Sequence, residues 1–128
     1  MSQGSRIMTK IERFEGIKAW KKARELVKSI YEITSKEDFA KDYSLKDQIR
    51  RASISVMSNI AEGFARQTDR EFVQFLHVAK GSASEVQSQL YVALDLKYIS
   101  EDTFKGLYEL SEETIRLISG FVRYLRGA

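Results

Sequence analysis

The chain has 128 residues, 43% hydrophobic and 30% charged, which is enough for one domain around one core and excludes a disordered or membrane-embedded protein. The absence of cysteine excludes disulfides, thiolate nucleophiles and thiolate metal sites, and the absence of proline points to a chain that is helical almost throughout. The formal charge of +3 is uneven: residues 1–66 carry 14 Lys and Arg against 9 Asp and Glu, residues 67–128 carry 7 against 9, so the first half is the one that suits an acidic partner.

The opening MSQGSRIMTKIE lacks a period and an apolar signal core, so residues 1–13 are expected to form a flexible arm outside the fold and the protein to be cytoplasmic. From Phe14 to Thr34 the apolar positions Phe14, Ile17, Trp20, Val27, Ile30 and Tyr31 recur at helical spacing and predict the first helix. The connection SKEDFAKDY is polar except for Phe39 and Tyr43, two aromatics expected to pin it to the bundle. Ser44, with Asp47 three residues on, reads as the cap of a second helix whose stripe is Leu45, Ile49, Val56, Ile60 and Phe64.

Thr68-Asp-Arg-Glu71 fits a capping box and opens a third helix. Phe72, Phe75, Leu76, Ala79, Ala83, Val86, Leu90, Ala93 and Leu94 carry it by steps of three and four to a stop near Leu96. Ser100, followed by Glu101 and Asp102, marks the start of the last helix, predicted to run to about Arg126 with Leu107, Leu110, Leu117, Phe121 and Leu125 in the core. Ile115, Ile118 and Val122 then fall on an adjoining apolar face, which predicts a homo-oligomer interface there. Four helices with short connections predict an all-α, up-down-up-down antiparallel four-helix bundle over residues 14–126.

The residues with chemistry are few. His77 is the single histidine, and its nearest carboxylate on the same segment, Glu71, stands six residues away rather than at the three-residue spacing of a metal motif. Without cysteine, a second histidine or a glycine-rich phosphate loop, neither a catalytic constellation nor a metal or cofactor site is expected. Lys18, Lys21, Lys22 and Lys28 share a solvent-facing strip on the first helix, with Arg50 and Arg51 adding charge at the start of the second. Such a strip can follow the phosphates of RNA or DNA, more strongly if assembly repeats it. Equally, it can be a solvated face of a protein-interaction scaffold that binds no nucleic acid. Arg51, Asn59 and Glu62 align on the second helix, Ser82 and Glu85 on the third; they read either as two solvated stripes with intrahelical ion pairs or, as the small residues around them favour, as a partly buried polar network that sets helix alignment.

The segments FEGIKAWKKARELVKSIY and QIRRASISVMSNIAEGFARQTDREFVQFLHVAKGSASEVQSQLYVALDLKYI resemble the four-helix bundle family first noticed as proteins encoded by intervening sequences in bacterial 23S rRNA genes. The resemblance covers residues 14 to about 125 and rests on Arg50, Arg51, Ser58, Asn59, Glu62, Gly63, Arg66, Gly81, Ser82 and Glu85. It implies a homopentameric, barrel-like ring and no catalytic role for these positions. It also implies kinship with the accessory proteins of diversity-generating retroelements, which bind RNA and DNA and associate with a reverse transcriptase.

Overall fold

A computed structural model describes residues 11–127; residues 1–10, and with them most of the expected arm, lie outside the described residues. After a single 3-10 turn at Phe14–Gly16, the helices are α1 (Lys18–Thr34), α2 (Glu37–Lys41), α3 (Tyr43–Phe64), α4 (Asp69–Asp95) and α5 (Glu101–Leu125). The four long helices form the bundle; α3 packs on α1 and α4, and α5 closes the ring by packing on α4 and α1. Ile11, expected within the free arm, is half-buried against the core.

Local chemistry sets the helix ends. Extended backbone at Ile17 separates the turn from α1. Asp42, not Ser44, caps α3, its Oδ1 accepting from Leu45 N–H at 3.1 Å. Thr68 caps α4 by accepting from Glu71 N–H, but the Glu71 carboxylate returns to the Thr68 hydroxyl at 3.3 Å, so the box closes through side chains. At the end of α4 the Tyr98 and Lys97 N–H groups donate to Ala93 and Leu94 carbonyls, both at 2.9 Å, with Lys97 left-handed at φ 63°: a Schellman stop, normally given to glycine. Ser100 caps α5 as expected.

The core divides into two stacked clusters. One gathers Trp20, Ile60, Phe72, Leu76, Ile118 and Val122 at the end where α1 begins; the other gathers Leu26, Ile30, Phe39, Ile49 and Leu90 at the far end. Full burial of each such side chain contributes about 1.5–3 kcal/mol. Gly63 lets α3 and α4 approach, since a Cβ there would sit 2.7 Å from Phe72 Cδ1 and 2.8 Å from Phe75 Cβ.

Two expectations fail on the last helix and one on the connection. The inward stripe of α5 is Leu107, Ser111, Thr114, Ile118, Val122 and Leu125. Ile118 is 0% and Val122 6% exposed inside the chain's own core, so neither offers a surface to another subunit, and Ile115 is half-buried against the same cluster. The small polar Ser111 and Thr114 hid this register: each returns its hydroxyl to a backbone carbonyl one turn back, to Tyr108 and Leu110, and so enters the core satisfied. Leu110, Leu117 and Phe121 instead flank the stripe, half-buried. On the connection Phe39 is buried but Tyr43 is 70% exposed, holding Lys46 over its ring rather than pinning the segment.

Candidate nucleic-acid interface

The spacing of cations on α1 divides them between two directions. Lys18, Lys21 and Lys28 are exposed and, among the described residues, stand beyond ion-pair distance of any carboxylate. Lys22 turns toward α5, where its Nζ lies 3.4 Å from Glu25 and 3.5 Å from Glu113. Its pKa is raised first by the hydrogen bond to Glu25, against a lowering by burial, and then by the charge of Glu113. Lys22 therefore brackets α1 to α5, while the other three keep their charges turned outward.

Arg50 is also committed within the fold. Its Nε donates to Thr34 Oγ1 at 2.8 Å, its Nη2 to Ser35 Oγ at 3.0 Å, and its guanidinium lies 4.2 Å from the Tyr31 ring centre. Those contacts tie α3 to the last turn of α1. Arg51 is exposed.

The expected polar network is smaller than its sequence pattern. Ser55 and Ser82 hydroxyls meet across α3 and α4 at 2.9 Å, and Asn59 Nδ2 donates to the Ser55 carbonyl at 2.8 Å and to its hydroxyl at 3.0 Å. Glu85 accepts from Gln89 on its own helix at 3.3 Å. Arg51 and Glu62 are exposed to water beyond this cluster, so only Asn59 and Ser82 of the five are joined, through Ser55. Short side chains can meet where helices come close; the longer ones on the flanks turn away.

Sequence reasoning missed a second set of basic residues. Arg70, His77 and Lys80 on α4 and Arg123 and Arg126 on α5 converge at the end of the bundle where α4 begins and α5 ends. The signal was available as the row 77, 80, 84, 87, 91, which steps by three and four and turns one α4 face toward α5. Among the described residues no group of three or more His, Asp or Glu side chains could hold a metal ion, and no helix is long and apolar enough to cross a membrane.

Residues 15–120 match the family model described as 23S rRNA-intervening sequence protein. A crystal structure of a protein of unknown function from the S23 ribosomal protein family of Bacteroides thetaiotaomicron superposes with a TM-score of 0.75 at 23% identity, covering 82% of this chain and 98% of that one, a likeness of fold. No curated protein matches.

Proposed function

We propose that this chain, which belongs to the 23S rRNA-intervening sequence protein family, is a non-catalytic helical bundle that assembles with copies of itself and binds RNA or DNA by its phosphates. The observation that carries the reading is the outward group Lys18, Lys21 and Lys28 on α1, cations with no carboxylate within ion-pair distance among the described residues. Phosphates would replace water around those ammonium groups and release counterions, which gives affinity with little sequence preference.

Support for assembly comes from the α3–α4 side, in place of Ile118 and Val122. There Ile54, Val78, Val92 and Leu96 are 38%, 54%, 43% and 51% exposed. Ser58 and Gly81 sit among them, and a Cβ on Gly81 would meet nothing within 4 Å. A second copy covering this side would bury those side chains, and a closed ring, the pentamer that the family resemblance implies, would repeat the α1 cations on each subunit.

The test is RNA retention across a salt titration. Affinity should fall steeply as salt rises, and charge reversal of Lys18, Lys21 and Lys28 should weaken binding and flatten the slope by about one unit per lost phosphate contact. Retention that ignores salt and these substitutions would remove the reading.

One observation favours a protein scaffold as the second reading. An apolar cleft of about 570 Å³ between the start of α1 and the end of α5 is lined by Ile17, Leu117, Phe121 and Tyr124. A protein partner, a reverse transcriptase among them, would find apolar anchorage there.

A further inference from the structure

The cations at the α4–α5 seam are unused by the reading of α1. His77 and Lys80, one turn apart on α4, face Ser119, Arg123 and Arg126 of α5 across a cleft of about 180 Å³ floored by Val122. A second cleft of about 370 Å³ shares His77 and Arg126 and adds Arg70. Among the described residues, Arg70, Lys80, Arg123 and Arg126 have no carboxylate within ion-pair distance, and Asp69, the acid that lines the second cleft, is buried.

Arg126 Nη2 lies 3.3 Å from His77 Nε2. A guanidinium only donates, so this contact is a hydrogen bond only while Nε2 carries no proton. Lys80, Arg123 and Arg126, each exposed, border one cleft with Ser119. An anion with several acceptor oxygens would satisfy Lys80, Arg123, Arg126 and the Ser119 hydroxyl together, with charge-assisted bonds.

The seam continues beyond the cleft. Gln87 donates to Glu112 at 2.9 Å, and Arg116 stands 4.0 Å from the same carboxylate, so the acid in the middle of the seam is partly offset. Further along, Tyr91, Phe104 and Tyr108 form a three-ring cluster with centroid separations of 4.7, 5.8 and 5.5 Å, and Tyr91 is 50% exposed. Lys80 and Tyr91 are eleven residues apart on one uninterrupted helix, roughly 16 Å at the rise of an α-helix. Cations followed by a half-exposed tyrosine ring along the α4 face that meets α5 match a strand whose phosphates are neutralised and one of whose bases stacks. A duplex, with its base faces hidden, would gain nothing from the rings.

We propose that the α4–α5 seam binds a single-stranded polynucleotide, with phosphate in the His77, Lys80, Arg123 and Arg126 cleft and a base stacked on the Tyr91 platform. The proposal rests on the nucleic-acid reading but assigns contact to a different face from α1.

The experiment uses the full chain and a fluorescent oligouridylate of about 16 nucleotides, read by anisotropy at low salt. Three variants are compared with the unaltered chain: Lys80→Glu with Arg123→Glu, Tyr91→Ala, and Lys18→Glu with Lys21→Glu, all at exposed positions and checked by circular dichroism. The cleft and ring variants should each lose roughly tenfold or more in affinity. Because His77 is the single histidine, its ring resonances give an independent site-specific signal, expected to move when the oligouridylate is added to the unaltered chain. Binding that survives the cleft variant, or that leaves the His77 resonances in place, would overturn the seam site while leaving the α1 reading intact. A chain that retains no oligouridylate at any salt would end both. If inorganic phosphate moves His77 as far as the oligouridylate does and Tyr91→Ala changes nothing, the cleft takes free phosphate and the polynucleotide assignment fails.

Discussion

Tyr98 donates its hydroxyl proton to Asp42 Oδ2 at 2.9 Å, while Oδ1 of the same carboxylate caps α3 and the Tyr98 ring stacks on Phe39 at 5.2 Å. One carboxylate thus joins the start of α3 to the loop between α4 and α5, across 56 positions of sequence. The hydrogen bond to Asp42, then burial and the charges of Asp42 and Asp38, raise the Tyr98 pKa. A group whose folded pKa lies above its unfolded value contributes stability that is full below the unfolded pKa, near 10, and is lost as pH rises through the folded one. The expected result is that Tyr98→Phe lowers the thermal midpoint at neutral pH and removes one late-titrating phenol from the ultraviolet titration. An unchanged midpoint with all phenols titrating as before would show that the loop is held by the Phe39 stack alone.

Gly63 gives a sharper packing test. Alanine is a better helix former than glycine by about 1 kcal/mol, so a free helix would gain from Gly63→Ala. In the bundle the added methyl would strike Phe72 and the Cβ of Phe75, and Cβ cannot swing aside without moving the α4 backbone. Overpacking costs typically 1–3 kcal/mol, so the net change should be destabilising. Gly81→Ala, where nothing lies within 4 Å, should stabilise an isolated subunit instead. Urea midpoints of the two variants should move in opposite directions.

The contrast between those glycines explains what could be read from sequence. Both stand in helical patterns, and nothing in composition separates one that is pressed between two helices from one that faces outward; only the partner helix decides. The number, order and approximate ends of the long helices were legible because Thr68 and Ser100 cap where their side chains dictate and because Val56, Ile60, Leu76 and Leu90 recur at one period. The inward register of α5 was not, because leucine and phenylalanine at 110, 117 and 121 outweigh Ser111 and Thr114 in any hydrophobic pattern while local hydroxyl bonds allow the smaller residues inside. The commitment of Arg50 to Thr34 and Ser35 was equally hidden, since it joins residues 16 and 15 positions apart on helices whose relative rotation the sequence does not state.

Lys97 ends α4 in a left-handed conformation at φ 63° and is exposed. Its Cβ makes that conformation cost roughly 1–2 kcal/mol, a cost that glycine escapes. Lys97→Gly should therefore raise stability by up to about 1 kcal/mol after the greater freedom of glycine in the unfolded chain is counted. The check is a urea midpoint that rises with an unchanged slope; a fall would mean that the lysine side chain contributes more to the α4–α5 loop than its backbone strain removes.

Assembly is best tested by separating faces that sequence patterning had exchanged. Ile118 is fully buried inside the subunit, so Ile118→Ala should cost about 2–5 kcal/mol of folding stability through lost contact and a residual cavity, whatever the subunits do. Val92 and Leu96 are half-exposed, so Val92→Glu with Leu96→Glu should leave the helical signal in circular dichroism intact. If copies meet over α3 and α4, the double substitution places buried, unpaired carboxylates in the contact, and the mass from light scattering should fall toward that of a single chain. An unaltered mass would move the contact elsewhere, with the apolar cleft between α1 and α5 the next surface to substitute. A monomeric parent chain at micromolar concentration would leave the α1 lysines to act one subunit at a time.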